Sequence, residues 1–278
     1  MSDLDAFLED GECSVRVVRR ECTTALSPSN LPGLDLALNP YTRCGHGCTY
    51  CYAPYVMRVP PSDWTKDIVA KVNIPQVLAR ELPRKRGVIG LGTVTDPYQP
   101  AEREMRLTRR CLEVMTRTPS KVSVLTKSDL VVRDIDLLSE LAHAEVGLTL
   151  NTSSDQAASL FEPCAPPPSA RLAAVRALSS AGIDTYVFLG PLIPTVTDED
   201  AALLVSGIKE AGADRIMVDR LNLRPGMRQR MENVLDSKSP GRSIEFRAEV
   251  AADHYYHGKM AEIKDACLKT GIPCQDAF

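Results

Sequence analysis

Short apolar runs alternate with amphipathic segments along most of the chain after residue 33. The apolar runs are rich in Val, Ile and Leu and cover residues 34–38, 87–91, 121–125, 145–150, 184–189 and 214–218. Continuous apolar runs of this kind are typical of strands that are buried on both faces of a parallel sheet. The pattern therefore predicts six parallel β-strands.

The segments between these runs have the apolar spacing of helices that pack one face on a core. They cover residues 74–82, 104–117, 134–144, 167–182 and 198–213. Strands that alternate with helices predict an α/β fold with right-handed crossovers. Six such units form either a doubly wound sheet or an incomplete barrel, and the pattern alone does not separate the two. The polar stretch 236–243 predicts an exposed loop.

Composition and charge narrow the possible classes of protein. The chain has 278 residues with a hydrophobic fraction of 44%, which is enough for one large core. Its net charge of -3 gives no sign of a polybasic surface, so a general nucleic-acid binder is not favoured. No apolar run approaches the roughly 18 residues of a membrane span. We therefore expect a cytoplasmic protein, whose cysteines are mostly reduced and partly bound to metal.

Polar residues directly follow several of the predicted strands. Thr93, Thr95 and Asp96 follow the second strand, Lys127 follows the third, and Asn151 follows the fourth. Because ligands bind at the carboxyl ends of parallel strands, we expect these side chains to share one rim. The alternative is that they only form turns and helix caps. A lysine is less usual in such a role than the others.

Three cysteines, Cys44, Cys48 and Cys51, lie in one short loop after the first strand with the spacing C-x3-C-x2-C. Structural zinc normally takes four ligands, and His46 lies too close in sequence to complete a comfortable tetrahedron. Three thiolates in a tight loop suit an iron–sulfur cluster with one open iron. The other six cysteines have no metal spacing, and we expect ordinary thiols at Cys13, Cys22, Cys111, Cys164, Cys267 and Cys274.

The stretch "NPYTRCGHGCTYCYA" (39–53) resembles the radical S-adenosylmethionine (SAM) enzymes, in the branch related to spore photoproduct lyase. The motifs "TDPYQPAE", "TKSDLVVRD", "FEPCAPPPSARL", "LGPLIP" and "VDRLN" extend this resemblance in order over about residues 20–225. The resemblance implies a partial (β/α)6 radical-SAM barrel over residues 34–225. Residues 1–33 would then be an N-terminal extension, and residues 226–278 a C-terminal segment that covers the barrel.

The same resemblance implies a radical SAM enzyme with a [4Fe–4S] cluster and SAM as cofactors. Cys44, Cys48 and Cys51 would bind three irons, and SAM would chelate the fourth. A low-potential donor such as flavodoxin or ferredoxin would supply the electron that cleaves SAM to a 5′-deoxyadenosyl radical. That radical would abstract hydrogen from an unidentified substrate.

The resemblance also implies roles for individual cofactor-binding residues. Tyr50 would pack near the adenine, and Thr95 and Asp96 would contact the methionine amino end. Lys127 would pair with the methionine carboxylate, and Asn151 or Thr149 would reach the ribose. Each of these roles is carried over from the position of the residue in the family motifs.

The chain departs from the branch at two positions. Thr93 stands where photoproduct lyase has a hydrogen-donating cysteine, and Arg43 stands where glycine is common. A hydroxyl O–H bond is too strong for that donor role, so DNA photoproduct repair becomes an alternative and not the first hypothesis. A non-catalytic iron–sulfur or zinc-binding protein is the other alternative. A ferredoxin-type carrier, however, supplies four cysteines for each cluster.

Overall fold

A computed structural model describes residues 6–8, 13 and 15–277 of the chain. Within these residues the strands are β1 (Ala6–Leu8), β2 (Val15–Arg20), β3 (Leu26–Pro28), β4 (Leu36–Leu38), β5 (Tyr41–Thr42), β6 (Asp67–Lys71), β7 (Val88–Leu91), β8 (Lys121–Thr126), β9 (His143–Leu150), β10 (Asp184–Leu192), β11 (Arg215–Arg220) and β12 (Cys274–Asp276). The α-helices are α1 (Ala53–Val56), α2 (Ile74–Glu81), α3 (Glu102–Met105), α4 (Leu107–Met115), α5 (Ile135–Glu140), α6 (Asp155–Phe161), α7 (Pro168–Ser180), α8 (Ala201–Glu210), α9 (Met227–Lys238), α10 (Arg242–Val250) and α11 (Asp253–Thr270).

The main sheet has the strand order β12-β11-β10-β9-β8-β7-β4-β3. The six predicted strands are β4 and β7 to β11, and each is parallel to the predicted strands beside it in the sheet. They stand side by side in chain order. A doubly wound sheet would instead reverse its order at a switch point. The described edge strands, antiparallel β3 and parallel β12, do not pair with each other, so the sheet is the wall of a partial barrel, as predicted.

A second sheet of order β1-β2-β6-β5 was not predicted. In β2 and β6 buried and partly exposed residues alternate, so only one face of each strand is apolar. Their outward positions mix charged residues with Val18 and Val69, so the apolar signal in the sequence is interrupted. Val15, Val17 and Ile68 pack with Leu107 into a small core beneath this sheet.

The helix predicted over 104–117 is broken at Arg106 into α3 and α4. Arg106 takes the left-handed backbone conformation with φ 49°. The break is stabilised because the Glu102 carboxylate accepts hydrogen bonds from the backbone N–H groups of Thr108 (2.9 Å) and Arg109 (3.2 Å). Glu102 thereby caps the first turn of α4 with a negative charge. The other predicted helices correspond to α2, α5, α7 and α8.

The chain after β11 forms three helices and one strand. Helix α9 continues to Lys238 and α10 begins at Arg242, so most of the loop predicted over 236–243 is helical. Helix α11 packs on α8, and β12 extends the main sheet beside β11.

No helix among residues 15–277 combines the length and the apolar character that crossing a bilayer requires.

Candidate active site

The cysteine loop lies between β5 and α1. Cys44 is buried, and Cys48 and Cys51 are partly buried, with all three thiols free. The loop is held by other elements: Gln99 accepts from the N–H of Gly45 (2.8 Å), and the Thr49 N–H donates to the Phe161 carbonyl (2.8 Å). The loop is therefore fixed in position by the protein before any metal binds.

Arg43 immediately precedes the loop and has φ 69°, in the left-handed region. This conformation suits glycine and costs other residues about 1–2 kcal/mol. The Arg43 guanidinium lies 3.4 Å from the Asp67 carbonyl oxygen and 3.9 Å from its carboxylate. The arginine thus connects the cysteine loop to β6, a contact that glycine lacks.

The thiols lie in a low-dielectric environment. Burial raises the pKa of Cys51 to about 11, and burial likewise raises the pKa of Cys48 well above its usual value. The positive charge of Lys127 opposes both shifts. Both thiols are therefore protonated at neutral pH when no metal is bound, and metal binding would release their protons.

His46 lies between Cys44 and Cys48 in the sequence. It is buried and pairs with Asp96, with 3.4 Å between Nδ1 and Oδ2. In the described part of the chain, no three His, Cys, Asp or Glu side chains converge on a point where one metal ion could bind. Burial disfavours the imidazolium, but Asp96 and Cys44 raise the pKa of His46 to about 10.

Asp96 is held on several sides by protein groups. Its carboxylate accepts from the Thr126 hydroxyl (2.6 Å) and from the backbone N–H groups of Lys127 (2.8 Å) and Tyr98 (2.9 Å). Burial opposes its ionisation, but His46 and these donors hold the pKa of Asp96 at about 2. The buried Thr95 hydroxyl faces the Tyr41 carbonyl at 3.4 Å. The contact of Thr95 and Asp96 with a cofactor stays a prediction.

Tyr50 belongs to a buried ionic network that the sequence did not indicate. Its hydroxyl donates to Glu162, which forms an ion pair with Arg171. The Asn151 amide also donates to Glu162 (3.3 Å), and Arg171 donates to the Thr149 carbonyl (3.0 Å). Glu162 and Arg171 both lie in the motif "FEPCAPPPSARL", so a charged pair within a mostly apolar motif was the available signal.

Beside this network are polar groups that lack partners. The Lys127 ammonium lies 5.6 Å from the centre of the Tyr50 ring, and it makes no hydrogen bond or ion pair with the described residues. The Asn151 Oδ1 atom is buried and has no hydrogen-bond donor among those residues. Buried polar groups are rarely left unpaired, so the Asn151 Oδ1 atom is available to accept from a polar ligand. The Lys127 ammonium is only partly buried and is available to donate to one.

The loop after β10 contributes a third polar group that lacks a partner, the hydroxyl group of Thr195. Thr195 has φ 69° and a buried hydroxyl that finds no partner within the described chain. A β-branched residue in the left-handed region is an outlier, and such strain is concentrated at functional sites. Thr197 holds this loop against β9 by donating to the Asn151 carbonyl at 2.7 Å.

A chamber of about 400 Å³ lies on the inner face of the barrel wall. Its lining includes alternate residues of consecutive strands: Ser123, Glu145, Tyr186, Phe188, Arg215 and Met217. Gly147 lets the Tyr186 ring lie against β9, since a Cβ atom there would lie 2.2 Å from that ring. Its polar side chains are paired, since Glu145 accepts from Ser123 (2.6 Å) and from Arg215 (2.6 Å). These polar pairs fix one end of the chamber.

Thr93 lines the other end of the chamber, next to the cysteine loop. Its hydroxyl exchanges hydrogen bonds with the Asn39 amide at 3.0 and 3.3 Å. Its carbonyl accepts from the Tyr52 hydroxyl (2.7 Å), and Tyr52 directly follows Cys51. The structure therefore brings the cysteine loop and the chamber together at Thr93.

One expectation about the remaining cysteines is wrong. Cys13 and Cys164 form a disulfide with 5.6 Å between their Cα atoms, whereas the sequence suggested reduced thiols at both positions. The two cysteines are 151 residues apart, so their proximity could not be read from spacing. Cys164 lies next to the network, and its N–H donates to the His46 carbonyl (3.2 Å).

Comparison with solved structures shows the same fold in known radical SAM enzymes. A double mutant of spore photoproduct lyase with bound AdoMet and dinucleoside spore photoproduct has a TM-score of 0.72 and 13% identity, covering 95% of this chain and 82% of that one. Streptococcus suis SuiB bound to S-adenosylmethionine has a TM-score of 0.51 and 11% identity, covering 86% of this chain and 46% of that one.

Sequence comparison adds two relatives that align with about two thirds of this chain. An uncharacterized protein of Methanocaldococcus jannaschii is 32% identical over 185 residues, which is 66% of this chain and 70% of that protein. An uncharacterized protein of Mycobacterium tuberculosis is 34% identical over 203 residues, 69% of this chain and 60% of that protein. Residues 38–206 match the family described as the Radical SAM superfamily. The chain is therefore a member of the radical SAM superfamily and an enzyme of that class.

Proposed function

We propose that this enzyme binds a [4Fe–4S] cluster through Cys44, Cys48 and Cys51, binds SAM beside it, and acts on a substrate in the barrel chamber. The observation that carries the proposal is the set of three free thiols next to an unpaired lysine, Lys127. When bound together, cluster and SAM supply a 5′-deoxyadenosyl radical that abstracts hydrogen from a substrate. The family implies SAM and an iron–sulfur cluster, and the cubane type is our inference from the three-cysteine loop.

Lys127 has the properties needed to bind the methionine carboxylate. It lies at the carboxyl end of β8, it has no described ionic partner, and it is close enough to Cys48 and Cys51 to influence their protonation. An ammonium group there acts as a compact point charge with three donors. The Tyr50 ring lies under this ammonium, so the lysine is oriented while its donors stay available.

Asn151 and Thr195 would complete the cofactor site. The Asn151 amide nitrogen is engaged by Glu162, which leaves Oδ1 pointing away from the ionic network as an acceptor for a hydroxyl group. The Thr195 hydroxyl can donate or accept. SAM carries two ribose hydroxyls, so a ribose would satisfy atoms that are otherwise costly to bury.

The chamber would hold the substrate, with its reacting carbon at the Thr93 end. The Asn39 and Tyr52 contacts of Thr93 fix that end beside the cysteine loop. No cysteine lines the chamber among the described residues, so a thiol that returns hydrogen to a substrate radical is not provided there. We therefore favour a substrate other than the dinucleoside photoproduct seen in the structurally similar lyase.

The test is anaerobic reconstitution of the protein with iron and sulfide, followed by reduction and addition of SAM. We expect the paramagnetic resonance spectrum of the reduced cluster to change when SAM binds, and 5′-deoxyadenosine to form. The proposal would be contradicted if saturating SAM left the spectrum of the reduced cluster unchanged in a protein with full iron content.

A further inference from the structure

One arginine of the C-terminal helices reaches the cysteine loop. Arg230 lies in α9 and is partly buried. Its guanidinium donates to the Tyr55 hydroxyl (2.9 Å) and to the Thr49 carbonyl (3.4 Å). Thr49 lies between Cys48 and Cys51, and Tyr55 follows Cys51 in α1. The arginine therefore contacts the chain on both sides of Cys51.

Several contacts hold this guanidinium in one place. The Tyr55 hydroxyl that accepts from Arg230 also donates to the Pro225 carbonyl (2.8 Å), just before α9. The central carbon of the guanidinium lies 5.8 Å from the centre of the Tyr55 ring. Because the guanidinium fork is rigid, donors that bind two separate acceptors leave it little freedom. The positive charge of Arg230 is therefore fixed beside the cysteine loop.

No acidic residue in the described part of the chain forms an ion pair with Arg230. The two groups to which it donates are uncharged oxygens. The acidic residues of the neighbouring segments act on other groups. Glu232 pairs with two other arginines, at 3.5 and 3.0 Å. Burial raises the pKa of Tyr52 to about 12, and Asp219 contributes to that shift together with Cys51. The charge of Arg230 thus acts on the cysteine loop without a counterion of its own.

Cys51 shows the influence of this charge. Burial and the neighbouring Cys44 raise the pKa of Cys51 to about 11, while the cations Lys127 and Arg230 oppose the shift. The two cations come from different elements, since Lys127 directly follows β8 and Arg230 lies in α9. On the function proposed above, the SAM carboxylate would neutralise Lys127. Arg230 would keep its charge in the loaded enzyme.

We propose that the fixed charge of Arg230 raises the reduction potential of the cluster bound by the cysteine loop. This inference rests on the proposed function, because it concerns the cluster that Cys44, Cys48 and Cys51 would hold. A cluster that gains an electron becomes more negative, so a positive charge nearby stabilises its reduced form. In this step a reductant such as dithionite loses one electron and the cluster gains it, and no bond is made or broken.

A purely structural role is the alternative for Arg230. Its hydrogen bonds would then only hold α9 against the cysteine loop, and the potential would not depend on its charge. Lysine keeps the charge but has no planar fork, whereas glutamine keeps an N–H donor group without the charge. Substitution by lysine and by glutamine therefore separates the effect of the charge from the effect of the hydrogen bonds.

The experiment measures the midpoint potential of the reconstituted cluster by redox titration, with paramagnetic resonance as the readout. The titration is done with and without SAM on the wild type, Arg230→Gln and Arg230→Lys. The matched control is Lys238→Gln, which removes the same charge from an exposed position in the last turn of α9. Iron and sulfide are measured in every preparation, and only fully loaded proteins are compared.

A second pair of variants leaves Arg230 in place. A Cβ atom added at Gly226 would lie 3.9 Å from Nη1 of Arg230, and φ is 75° there, in a region that Asp and Asn tolerate. Gly226→Asp would bring a carboxylate to Arg230 and neutralise its charge. Gly226→Asn would bring an uncharged amide of the same shape. This pair decides the question if Arg230→Gln fails to hold a cluster.

We expect Arg230→Gln to disfavour the reduced cluster about tenfold, which is a shift of about 59 mV to a more negative potential. Gly226→Asp should shift the potential in the same direction. Arg230→Lys, Gly226→Asn and Lys238→Gln should stay close to the wild type. Because SAM would neutralise Lys127 and not Arg230, the shift in Arg230→Gln should persist at saturating SAM.

Three results would overturn the proposal about Arg230. The first is a wild-type potential in both Arg230→Gln and Gly226→Asp, or in Gly226→Asp alone if the other variant holds no cluster. The second is an equal shift in Lys238→Gln, which would assign the effect to net charge. The third is an equal shift in Arg230→Lys, which would assign it to the hydrogen bonds. A wild type that binds no cluster at Cys44, Cys48 and Cys51, or whose cluster spectrum does not respond to SAM, would instead refute the proposed function.

Discussion

The ionic network around Glu102 and the one around Glu162 are both buried, but they differ in charge balance. Glu102 accepts from the Tyr41 hydroxyl (2.5 Å) and pairs with Arg133 (2.7 Å). Asp134 pairs with Arg133 (2.8 Å) and with Arg109 (2.9 Å). The two buried carboxylates thus face two guanidinium groups, and Arg109 also pairs with the exposed Asp136 (2.7 Å), so the protein alone neutralises this network.

The network around Glu162 has one carboxylate and two nearby cations. Burial opposes the ionisation of Glu162, but Arg171 and Lys127 hold its pKa below the usual range. Only Arg171 forms an ion pair with Glu162. The charge of Lys127 is therefore not neutralised by an ion pair within this network, and the Asn151 Oδ1 atom has no hydrogen-bond donor among the described residues. On the function proposed above, the first network serves the fold alone, while the second would be completed by an anionic group of the ligand.

The largest expected effect comes from removing the thiols beside the unbalanced network. Replacing Cys44, Cys48 and Cys51 by Ala should abolish iron binding and all cleavage of SAM, because a cluster cannot be held without thiolates. Iron and sulfide content and 5′-deoxyadenosine are measured after reconstitution. Cys22→Ala is the control and should retain both. Full iron content in the triple variant would show that the cluster lies elsewhere.

The network around Glu102, called here the balanced network, should affect the stability of the protein and not the binding of the cofactor. Glu102→Gln leaves Arg133 with one buried carboxylate fewer, and breaking a buried pair typically costs about 3–5 kcal/mol. Urea denaturation measures the loss in the free energy of unfolding. Glu104→Gln, at an exposed position of the same helix, should change it by less than about 0.5 kcal/mol. If Glu102→Gln lowered the affinity for SAM as strongly as the free energy of unfolding, the distinction between the two networks would be wrong.

Lys127→Met should show the reverse behaviour. Removing one member of a buried charge pair costs about 2–5 kcal/mol, so SAM should bind roughly a hundredfold more weakly or worse. Stability should fall less than in Glu102→Gln, because Lys127 lies near Glu162 and the Tyr50 ring but forms no ion pair with a described residue. Equilibrium binding of SAM to the reconstituted protein gives the affinity, and an intact cluster spectrum shows that the site has survived. Lys121→Met, at the exposed start of the same strand, is the control. Unchanged SAM affinity would mean that the lysine serves another purpose.

The smallest effect is expected at the exposed edge of the balanced network. Asp136 pairs with Arg109 at 2.7 Å but is more than half exposed, so Asp136→Asn should cost no more than about 1 kcal/mol. A hydrogen bond from Arg109 lowers the pKa of Asp136. Its contribution is therefore present above the ordinary aspartate pKa of about 3.9 and is lost as the pH falls through the lower folded value. Urea titrations of both proteins at neutral and acidic pH should show their difference shrinking in acid. A difference that grows in acid would contradict this sign.

The sequence predicted the barrel wall because its strands are buried on both faces and read as continuous apolar runs. It did not predict β2 and β6, since each has one buried apolar face and a mixture of charged residues and valine on the other. The break at Arg106 was also missed, because it depends on Glu102 reaching the next turn. The hydrophobic pattern of the sequence thus identifies strands that lie inside the main sheet and misses strands that have one solvent-exposed face.

The candidate site divides in the same way. The cysteine loop and the residues after each strand could be located from spacing, because short loops keep sequence neighbours together. The pairing of Tyr50 with Glu162, and of Glu162 with Arg171, could not, since Tyr50 and Glu162 are 112 residues apart. The disulfide and the surplus charge of Lys127 likewise depend on which distant groups the fold brings together.

The disulfide between Cys13 and Cys164 makes the chain from residue 13 to residue 164 a covalent ring. The three cluster cysteines and strands β2 to β9 all lie within this ring. A protease that cuts any exposed loop inside it leaves the two pieces joined until a reductant is added. The reducing agents used to load iron open the same ring, so the order of digestion and reduction decides whether a nicked enzyme keeps its cysteine loop attached to the rest of the barrel.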